Sequence, residues 1–319
     1  MAFYDIFNGD ADGICALLQL RLHEPRDADL VTGVKRDIAL LERVEAAAID
    51  TLTVLDISLD INRRSLERLL AAGASVDYFD HHHAGTIPRH PRLHAHIDAD
   101  PGICTSLIVD RHLGGRFRSW AVVAAFGDNL DNAARGAAAQ IGLRADEIEL
   151  LRELGVCINY NAYGESIDDL RFPPDALYRQ LIGHADPLGF AREAPQFEAL
   201  RTALHDDLAL AQAVPVERLS SGCAWVRLPD QAWSRRVGGA LANRLAQGSP
   251  AQAHAVLTCR PGGYLISLRA PVSNPRGAST LARQFKSGGG REGAAGIDFL
   301  PNGDLDRFLD LFRTAYGKN

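Results

Sequence analysis

The stretch FNGDADGICALLQLRL, residues 7–22, places two aspartates in a glycine-bracketed turn between an apolar run and a helix-like segment. Asp10 and Asp12 lie two residues apart, directly after the apolar run at 3–7. This order predicts a strand that ends at a polar site and is followed by a helix. Asn8 lies two residues before Asp10, at a position where a third acidic residue could also stand, so its neutral amide has to be explained.

The same alternation continues through the first half of the chain. We predict strands at 3–7, 51–55, 75–79 and 120–126, and helices at 14–23, 61–72 and 106–112. Short apolar strands that alternate with helices favour an α/β fold, a parallel sheet with helices on both faces. In such a sheet the ligand site lies at the carboxyl ends of the strands.

Length and composition restrict the class of protein. The 319 residues suggest two domains, and 46% hydrophobic with 23% charged residues are typical of a globular protein. We see no apolar stretch near the roughly 20 residues of a membrane span and no signal peptide, so we expect a cytoplasmic protein without a membrane partner. The five cysteines show no CxxC spacing, which indicates buried thiols in a reducing compartment rather than a zinc site.

The second half begins near residue 215, after a predicted linker helix at 196–213. The patterns at 223–228, 253–260 and 263–269 predict strands, and 305–316 predicts a terminal helix. We therefore expect domains at 1–190 and 216–319, joined by a linker helix within 191–215.

A basic segment extends from Gln231 to Arg291, although the net charge of the chain is −6. It contains no Asp or Glu but eight arginines and one lysine: Arg235, Arg236, Arg244, Arg260, Arg269, Arg276, Arg283, Lys286 and Arg291. Such a segment attracts an anionic ligand, and a short one because the rest of the chain is acidic. A solubilising basic face is the alternative that charge alone leaves open.

Metal-ligating side chains follow each of the four predicted strands. They are Asn8, Asp10 and Asp12, then Asp56, then Asp80 with His81, His82 and His83, then Asp128. Oxygen and nitrogen donors without sulfur suit Mn²⁺, Mg²⁺ or Fe²⁺, and the histidine favours Mn²⁺. Two ions about 3.5–4 Å apart would neutralise the carboxylates and clamp a phosphoryl group. Taken singly, each motif also fits a turn, a helix cap or a solvated loop.

The motifs GDADG, LDIS, DHH and GDN, in that order, resemble those of the DHH phosphoesterase superfamily. SLRAP and GGGREGAAG are similar to its DHHA1 substrate-binding domain. This family includes RecJ-like exonucleases, nanoRNases, cyclic-dinucleotide phosphodiesterases and manganese-dependent pyrophosphatases. The resemblance implies an N-terminal parallel-sheet DHH domain, a smaller C-terminal α/β DHHA1 domain and a cleft between them. It also leaves a homodimer open.

The resemblance implies roles for individual residues. Asp10 would bind one metal ion, and Asp56 would bridge both. The second ion would be held by Asp12, His81 and Asp128. His82 would face the scissile phosphate, with Asp80 orienting the histidines. Substrate would be bound by Arg269, Gly288, Gly289, Gly290 and Arg291.

The chain departs from the family pattern at three positions. Ile6 stands where many members have a histidine, and Asn8 stands where RecJ-like members have a third aspartate. We expect Asn8 to be a neutral ligand or a water-holder of a weaker first metal site, with an Asx-turn as the alternative. Arg291 replaces the histidine of the family's GGGH and would grip a terminal phosphate; a solvent-facing side chain is the alternative.

The expected function is that of a metal-dependent phosphodiesterase. It would hydrolyse short oligonucleotides or linear dinucleotides such as pGpG to mononucleotides, through a water activated by two metal ions. The alternatives are a 3′-phosphoadenosine 5′-phosphate phosphatase and a cyclic-dinucleotide phosphodiesterase. A nucleotide-binding sensor without turnover is the alternative from another class.

Overall fold

The computed structural model describes residues 2–45 and 50–317. It divides into two compact units, Met1–Thr202 and Ala203–Asn319. The division falls inside a long helix, α9 (Pro195–Gln212), within the segment predicted as a linker. No helix in the described part of the chain is both long and apolar enough to cross a membrane.

The N-terminal unit is built on a five-stranded sheet in the order β2-β1-β3-β4-β5, with every pair of strands parallel. The strands are β1 (Phe3–Phe7), β2 (Asp29–Val31), β3 (Thr51–Leu55), β4 (Ser75–Asp80) and β5 (Leu93–Ile97). Three predicted strands, at 3–7, 51–55 and 75–79, are thereby confirmed. The side chains of Ile6, Val54 and Tyr78 are fully buried, as expected for the strands of a parallel sheet.

Helices account for most of the remaining residues of this unit. The predicted helices are confirmed as α1 (Ala11–His23), α2 (Leu59–Ala71) and α3 (Thr105–His112). The others are α4 (Arg118–Gly127), α5 (Asp131–Gln140), α6 (Ala145–Asn161), α7 (Pro174–Leu181) and α8 (Pro187–Glu193).

The strand predicted at 120–126 is wrong, because these residues lie inside α4. The run WAVVAAF is buried on every side, since α4 packs against α1, α3, α5 and α6. A helix that is buried all round shows no helical periodicity, and seven apolar residues also suit a strand. Asp128 therefore follows a helix rather than a strand.

The helices α4 and α6 approach each other at two glycines. A Cβ atom on Gly155 would lie 2.1 Å from the carbonyl oxygen of Val123 in α4. One on Gly127 would lie 2.9 Å from the carbonyl oxygen of Gly155 in α6 and 2.4 Å from the Cβ of Ala11 in α1. Only glycine permits this backbone contact. It brings the C-terminal end of α4, and with it Asp128, next to the start of α1.

We expect Gly155→Ala to lower the free energy of unfolding by about 1–3 kcal/mol, because the added methyl group forces α4 and α6 apart. Urea unfolding measures this change. The matched control is Gly136→Ala in α5, where a Cβ meets nothing within 4 Å. Alanine there should be neutral or stabilise by up to about 1 kcal/mol. Equal effects of the two substitutions would contradict the close approach at Gly155.

The C-terminal unit contains a six-stranded sheet in the order β10-β11-β9-β8-β7-β6, parallel only between β7 and β8. Its elements are β6 (Glu217–Arg218), β7 (Cys223–Leu228), α10 (Ala232–Gly248), β8 (Ala253–Arg260), β9 (Gly263–Arg269), α11 (Ala278–Ala282), β10 (Gly288–Gly290), β11 (Ala294–Pro301) and α12 (Leu305–Tyr316). The predicted strands at 223–228, 253–260 and 263–269 and the predicted terminal helix are confirmed. Phe308 and Phe312 of α12 belong to the same buried hydrophobic cluster as Ile266 and Leu268 of β9.

Candidate metal centre

The carboxyl ends of β1, β3 and β4 lie side by side, because these strands are parallel neighbours. Asp10 and Asp12 follow β1, and Asp56 follows β3. His81 follows β4, and the end of α4 adds Asp128. The structure thus brings five of the predicted metal ligands to one edge of the sheet.

The imidazole of His81 is oriented by the backbone. Its Nδ1 lies 3.0 Å from the carbonyl oxygen of Ile103, which can only accept a hydrogen bond. In the neutral imidazole Nδ1 therefore carries the proton, and the lone pair of Nε2 is available to a cation. That lone pair faces Asp56 Oδ1 at 3.4 Å, Asp12 Oδ2 at 3.9 Å and Asp128 Oδ2 at 4.0 Å.

These separations lie between the two distances expected for pairs of ligands on one cation. With bonds of about 2.1 Å, two atoms bound to one octahedral ion lie about 3.0 Å apart when adjacent and about 4.2 Å apart when opposite. Among the described residues, two sets can hold an ion: Asp12, His81 and Asp128, and Asp56, His81 and His82. Both sets share His81. A ligand set of imidazole nitrogen and carboxylate oxygens, with no sulfur, suits Mn²⁺, Mg²⁺ or Fe²⁺.

The carboxylate of Asp12 is held at the N-terminus of α3. The backbone N–H groups of Thr105 and Ser106 donate to its two oxygens, each at 2.7 Å. The start of a helix carries unpaired N–H groups and a partial positive charge, and both stabilise an anion. Asp12 is therefore oriented before any cation arrives.

Asp56 is under conformational and electrostatic strain. Its φ of 59° is in the left-handed region, which aspartate adopts at a cost of about 1 kcal/mol or more. Burial, followed by the charges of Asp12 and Asp10, raises the pKa of Asp56 well above its usual value. The hydroxyl of Thr105 donates to its Oδ1 at 3.0 Å. A bound cation would stabilise the ionised form of this carboxyl, which its surroundings disfavour.

His82 is oriented by Asp80. Its Nδ1 lies 2.7 Å from Oδ1 of Asp80, and the Asp80 side chain is fully buried. Burial acts to lower the pKa of His82, but the hydrogen bond and charge of Asp80 outweigh it and raise this pKa above its usual value. The imidazole ring is 43% exposed, so its other nitrogen is accessible to a ligand.

Lys35 was not recognised from the sequence. Its ammonium donates to Asp10 Oδ2 and to Asn159 Oδ1, the latter at 3.1 Å, and lies 3.6 Å from Asp128 Oδ1. Burial opposes its charge, but Asp10, Tyr163 and Asp128 raise the pKa of Lys35 well above its usual value. One signal was available, because the chain has only three lysines among its 34 basic residues.

The side chain of Asn8 is engaged within its own turn. Its Oδ1 accepts from the backbone N–H of Asp10 at 3.2 Å, and its Nδ2 donates to the carbonyl of Lys35 at 3.3 Å. The hydrogen bond that Asn8 Oδ1 accepts from the Asp10 N–H is that of an Asx-turn, so the geometry favours this alternative over a metal ligand.

Arg269 lies at the end of β9, on the face of the sheet that packs against α10. Its Nε donates to Asn243 Oδ1 at 2.6 Å, and its Nη1 donates to its neighbour's carbonyl at 2.9 Å. Two other arginines of the basic segment form ion pairs within the unit, Arg235 with Asp230 and Arg236 with Asp207. Part of the positive charge that the sequence displays is therefore neutralised locally.

The three glycines of the GGG motif have different surroundings. A Cβ on Gly288 would lie 1.8 Å from the carbonyl oxygen of Ala282, and Gly290 has a φ of 131°. Packing and backbone conformation thus explain these two. A Cβ on Gly289 would meet nothing within 4 Å. The exposed Arg291 begins the turn between β10 and β11, where its N–H donates to the carbonyl of Ala294.

No model of a known protein family and no curated protein matches this chain. Solved structures do match. The exonuclease RecJ bound to manganese has a TM-score of 0.60 and 17% identity, covering 98% of this chain and 89% of that one. RecJ in complex with Mn²⁺ from Thermus thermophilus has a TM-score of 0.65 and 17% identity, and the match covers 98% of this chain and 52% of that one. The pGpG-specific phosphodiesterase PggH from Vibrio cholerae has a TM-score of 0.55 and 15% identity, and the match covers 99% of this chain and 98% of that one.

The chain therefore has the two-unit α/β fold of RecJ and PggH. The predicted α/β fold is confirmed, with a parallel sheet in the first unit and a mixed sheet in the smaller second unit. The chain spans about half the length of the Thermus thermophilus RecJ and nearly all of PggH.

Proposed function

We propose that this chain is a metal-dependent phosphodiesterase that hydrolyses short oligonucleotides or linear dinucleotides such as pGpG to mononucleotides. The observation that carries the proposal is the lone pair of His81 Nε2, which faces the carboxylates of Asp12, Asp56 and Asp128 within 4.0 Å. The fold supports it, since structures that share this fold include a manganese-bound exonuclease and a pGpG-specific phosphodiesterase.

These four side chains would hold the divalent cation, which we propose to be Mn²⁺, with Mg²⁺ or Fe²⁺ as substitutes. When bound, such a cation lowers the pKa of water and neutralises charge that develops on a phosphoryl group. The chain's own contribution is preorganisation. The N-terminus of α3 orients Asp12, and the Ile103 carbonyl orients His81.

We assign phosphate binding in the N-terminal unit to His82. The Asp80 carboxylate accepts the hydrogen bond of Nδ1–H, which directs the other N–H of the imidazolium outward. Because the pKa of His82 is raised, this ring carries positive charge to a higher pH than an ordinary histidine. It can then donate a charge-assisted hydrogen bond to a phosphate oxygen.

A short substrate agrees with the charge of the protein. The chain carries a net charge of −6, and two arginines of the basic segment are neutralised inside the C-terminal unit. A long single strand requires many phosphate contacts, whereas a dinucleotide requires few.

Product chromatography after incubation with Mn²⁺ tests the proposal. The substrates are pGpG, a 5-mer RNA, a longer single-stranded DNA, cyclic dinucleotides and 3′-phosphoadenosine 5′-phosphate. We expect mononucleotides from the two short linear substrates. His81→Gln should abolish the product, and the control His83→Gln, at an exposed neighbour, should not. Turnover of only cyclic dinucleotides or the bisphosphate would reassign the substrate, and binding without turnover would indicate a sensor.

We propose that Arg291 binds a substrate phosphate, and we expect Arg291→Gln to raise the KM for pGpG about tenfold with kcat unchanged. The loss corresponds to one charge-assisted hydrogen bond to a group that does not react. Steady-state kinetics measure it. The control is Arg313→Gln on α12, whose guanidinium is paired with Asp310. Unchanged KM in both variants would contradict the role of Arg291.

A further inference from the structure

The ammonium of Lys35 lies where a cation would contact Asp10. It donates to Asp10 Oδ2 and Asn159 Oδ1, and Asp128 Oδ1 is 3.6 Å away. An ammonium has three N–H donors and no acceptor; two of them are used by these hydrogen bonds, and the contact with Asp128 is an ion pair. The side chain is 24% exposed and reaches the carboxylates from the segment that follows β2.

Hydrogen bonds hold both the N–H and the carbonyl of Lys35, so the backbone fixes where its side chain begins. Its N–H donates to the carbonyl of Ala162 at 2.9 Å, and its carbonyl accepts from Asn8 Nδ2 at 3.3 Å. Two residues earlier, the carbonyl oxygen of Gly33 lies 2.1 Å from where a Cβ on Gly9 would be. The segment therefore packs directly against the turn that carries Asp10.

The hydrogen bonds of Asp10 are supplied by the chain itself. Its Oδ1 accepts from the backbone N–H groups of Asp12 and Gly13 at 3.0 and 3.1 Å, and its Oδ2 accepts from Lys35. This carboxylate also forms the N-cap of α1. Its negative charge is compensated without any ion.

The two carboxylate oxygens of Asp128 face two different neighbours, Lys35 and His81. Its Oδ1 lies 3.6 Å from the Lys35 ammonium, and its Oδ2 lies 4.0 Å from His81 Nε2. On the side of His81, two further carboxylates, Asp12 and Asp56, face the imidazole, and no lysine or arginine of the described residues is paired with them there. One side of Asp128 thus faces a lysine ammonium, and the other side faces only the imidazole of His81.

We propose that this centre holds one divalent cation, among His81, Asp12, Asp56 and Asp128, and that the Lys35 ammonium fills the place beside Asp10 that a second cation would take. This inference rests on the metal centre of the proposed function and deepens it. A divalent ion at Asp10 would lie in contact range of the ammonium, and like charges at that distance repel strongly. Asn8 agrees with this arrangement, because its oxygen is turned to a backbone N–H instead of a cation.

The test is the number of Mn²⁺ ions bound per chain, measured by calorimetry and elemental analysis of the whole protein. Electron paramagnetic resonance provides a second readout, because one isolated Mn²⁺ gives a six-line spectrum and two close ions give an exchange-coupled spectrum. We expect one ion and the six-line spectrum for the wild type. Two coupled ions in the wild type would overturn the proposal, whatever any variant does.

Lys35→Met removes the charge while keeping an unbranched side chain, and we expect it to bind two ions. Lys35→Arg keeps the charge and should bind one. The control Lys286→Met, at an exposed lysine of the C-terminal unit, should also bind one. One ion in Lys35→Met, with thermal unfolding showing a folded protein, would overturn the substitution by the ammonium. If Lys35→Met does not fold, the wild-type stoichiometry still decides.

The outcomes separate this inference from the proposed function. One ion in the wild type without hydrolysis of any substrate would contradict the function and leave the inference standing. Two coupled ions with rapid hydrolysis of pGpG would do the reverse. No bound ion at saturating Mn²⁺ would overturn both.

Discussion

Replacing Asp56 by asparagine is expected to reduce Mn²⁺-dependent hydrolysis by about a thousandfold or more, while it stabilises the metal-free protein. The carboxylate faces His81 Nε2 at 3.4 Å and is held by the Thr105 hydroxyl. Asparagine keeps the acceptor for that hydroxyl and tolerates the φ of 59°, so the backbone has no reason to change. It removes only the charge that a cation needs.

The gain in stability follows from the raised pKa of Asp56. The folded protein holds this proton to a higher pH than the unfolded chain, whose carboxyl has its usual value of 3.8. Ionisation therefore lowers the free energy of unfolding as pH rises from 3.8 toward the raised pKa. Asp56→Asn lacks this loss, so we expect it to exceed the metal-free wild type by about 0.5–2 kcal/mol at neutral pH.

Urea unfolding with a chelator, at several pH values, measures this difference. It should shrink to nothing near pH 3, roughly where both states of the wild type are protonated. Saturating Mn²⁺ should then stabilise the wild type and not the variant. The control is Asp77→Asn, a carboxylate of β4 that pairs with His94 on the surface. A metal-free Asp56→Asn less stable than wild type would contradict the electrostatic strain at this position.

Replacing Arg21 by methionine is expected to cost about 3–5 kcal/mol of stability, the largest effect that we predict for a single substitution on unfolding. Nε of Arg21 donates to Asp5 Oδ2 at 2.7 Å, and its Nη2 donates to the Thr53 hydroxyl at 2.8 Å. Both partners of the ion pair are buried, with side chains 5% and 2% exposed. The variant leaves the Asp5 carboxylate in the interior without this cation.

The double variant Asp5→Leu with Arg21→Met distinguishes the burial of a lone charge from the loss of an attractive pair. We expect it to recover most of the lost stability, because two apolar side chains avoid the desolvation penalty. Arg111→Met is the surface control, since its pair with Asp98 is exposed and should be worth at most about 1 kcal/mol. A double variant as unstable as Arg21→Met would show that the pair itself supplies the stability.

Several parts of the site could be predicted because they depend on local order. Asp10, Asp12, Asp56 and His81 each follow an apolar run, and the parallel arrangement of the strands brings their ends to one edge. The alternation of strands and helices determined that arrangement. The Asx-turn at Asn8 was also open to prediction, because an Asx-turn joins residues two apart.

Lys35 could not be predicted in the same way. It lies 25 residues from Asp10 and 124 from Asn159 in sequence, and its ammonium reaches both because the segment after β2 packs against the first turn. Periodicity and turn chemistry describe neighbours along the chain. A contact between distant loops depends on packing, which they do not describe.

By itself, the sequence determined the parallel sheet, the strand-end carboxylates, and three strands and the terminal helix of the C-terminal unit, because burial and turn chemistry mark those elements locally. Only the tertiary structure decided that 120–126 is a helix, since burial on all sides removes the periodic signal. It also decided that Gly288 serves packing and that Asp10 is neutralised by a lysine. These are matters of which surfaces meet, and they are settled by the packing of distant segments.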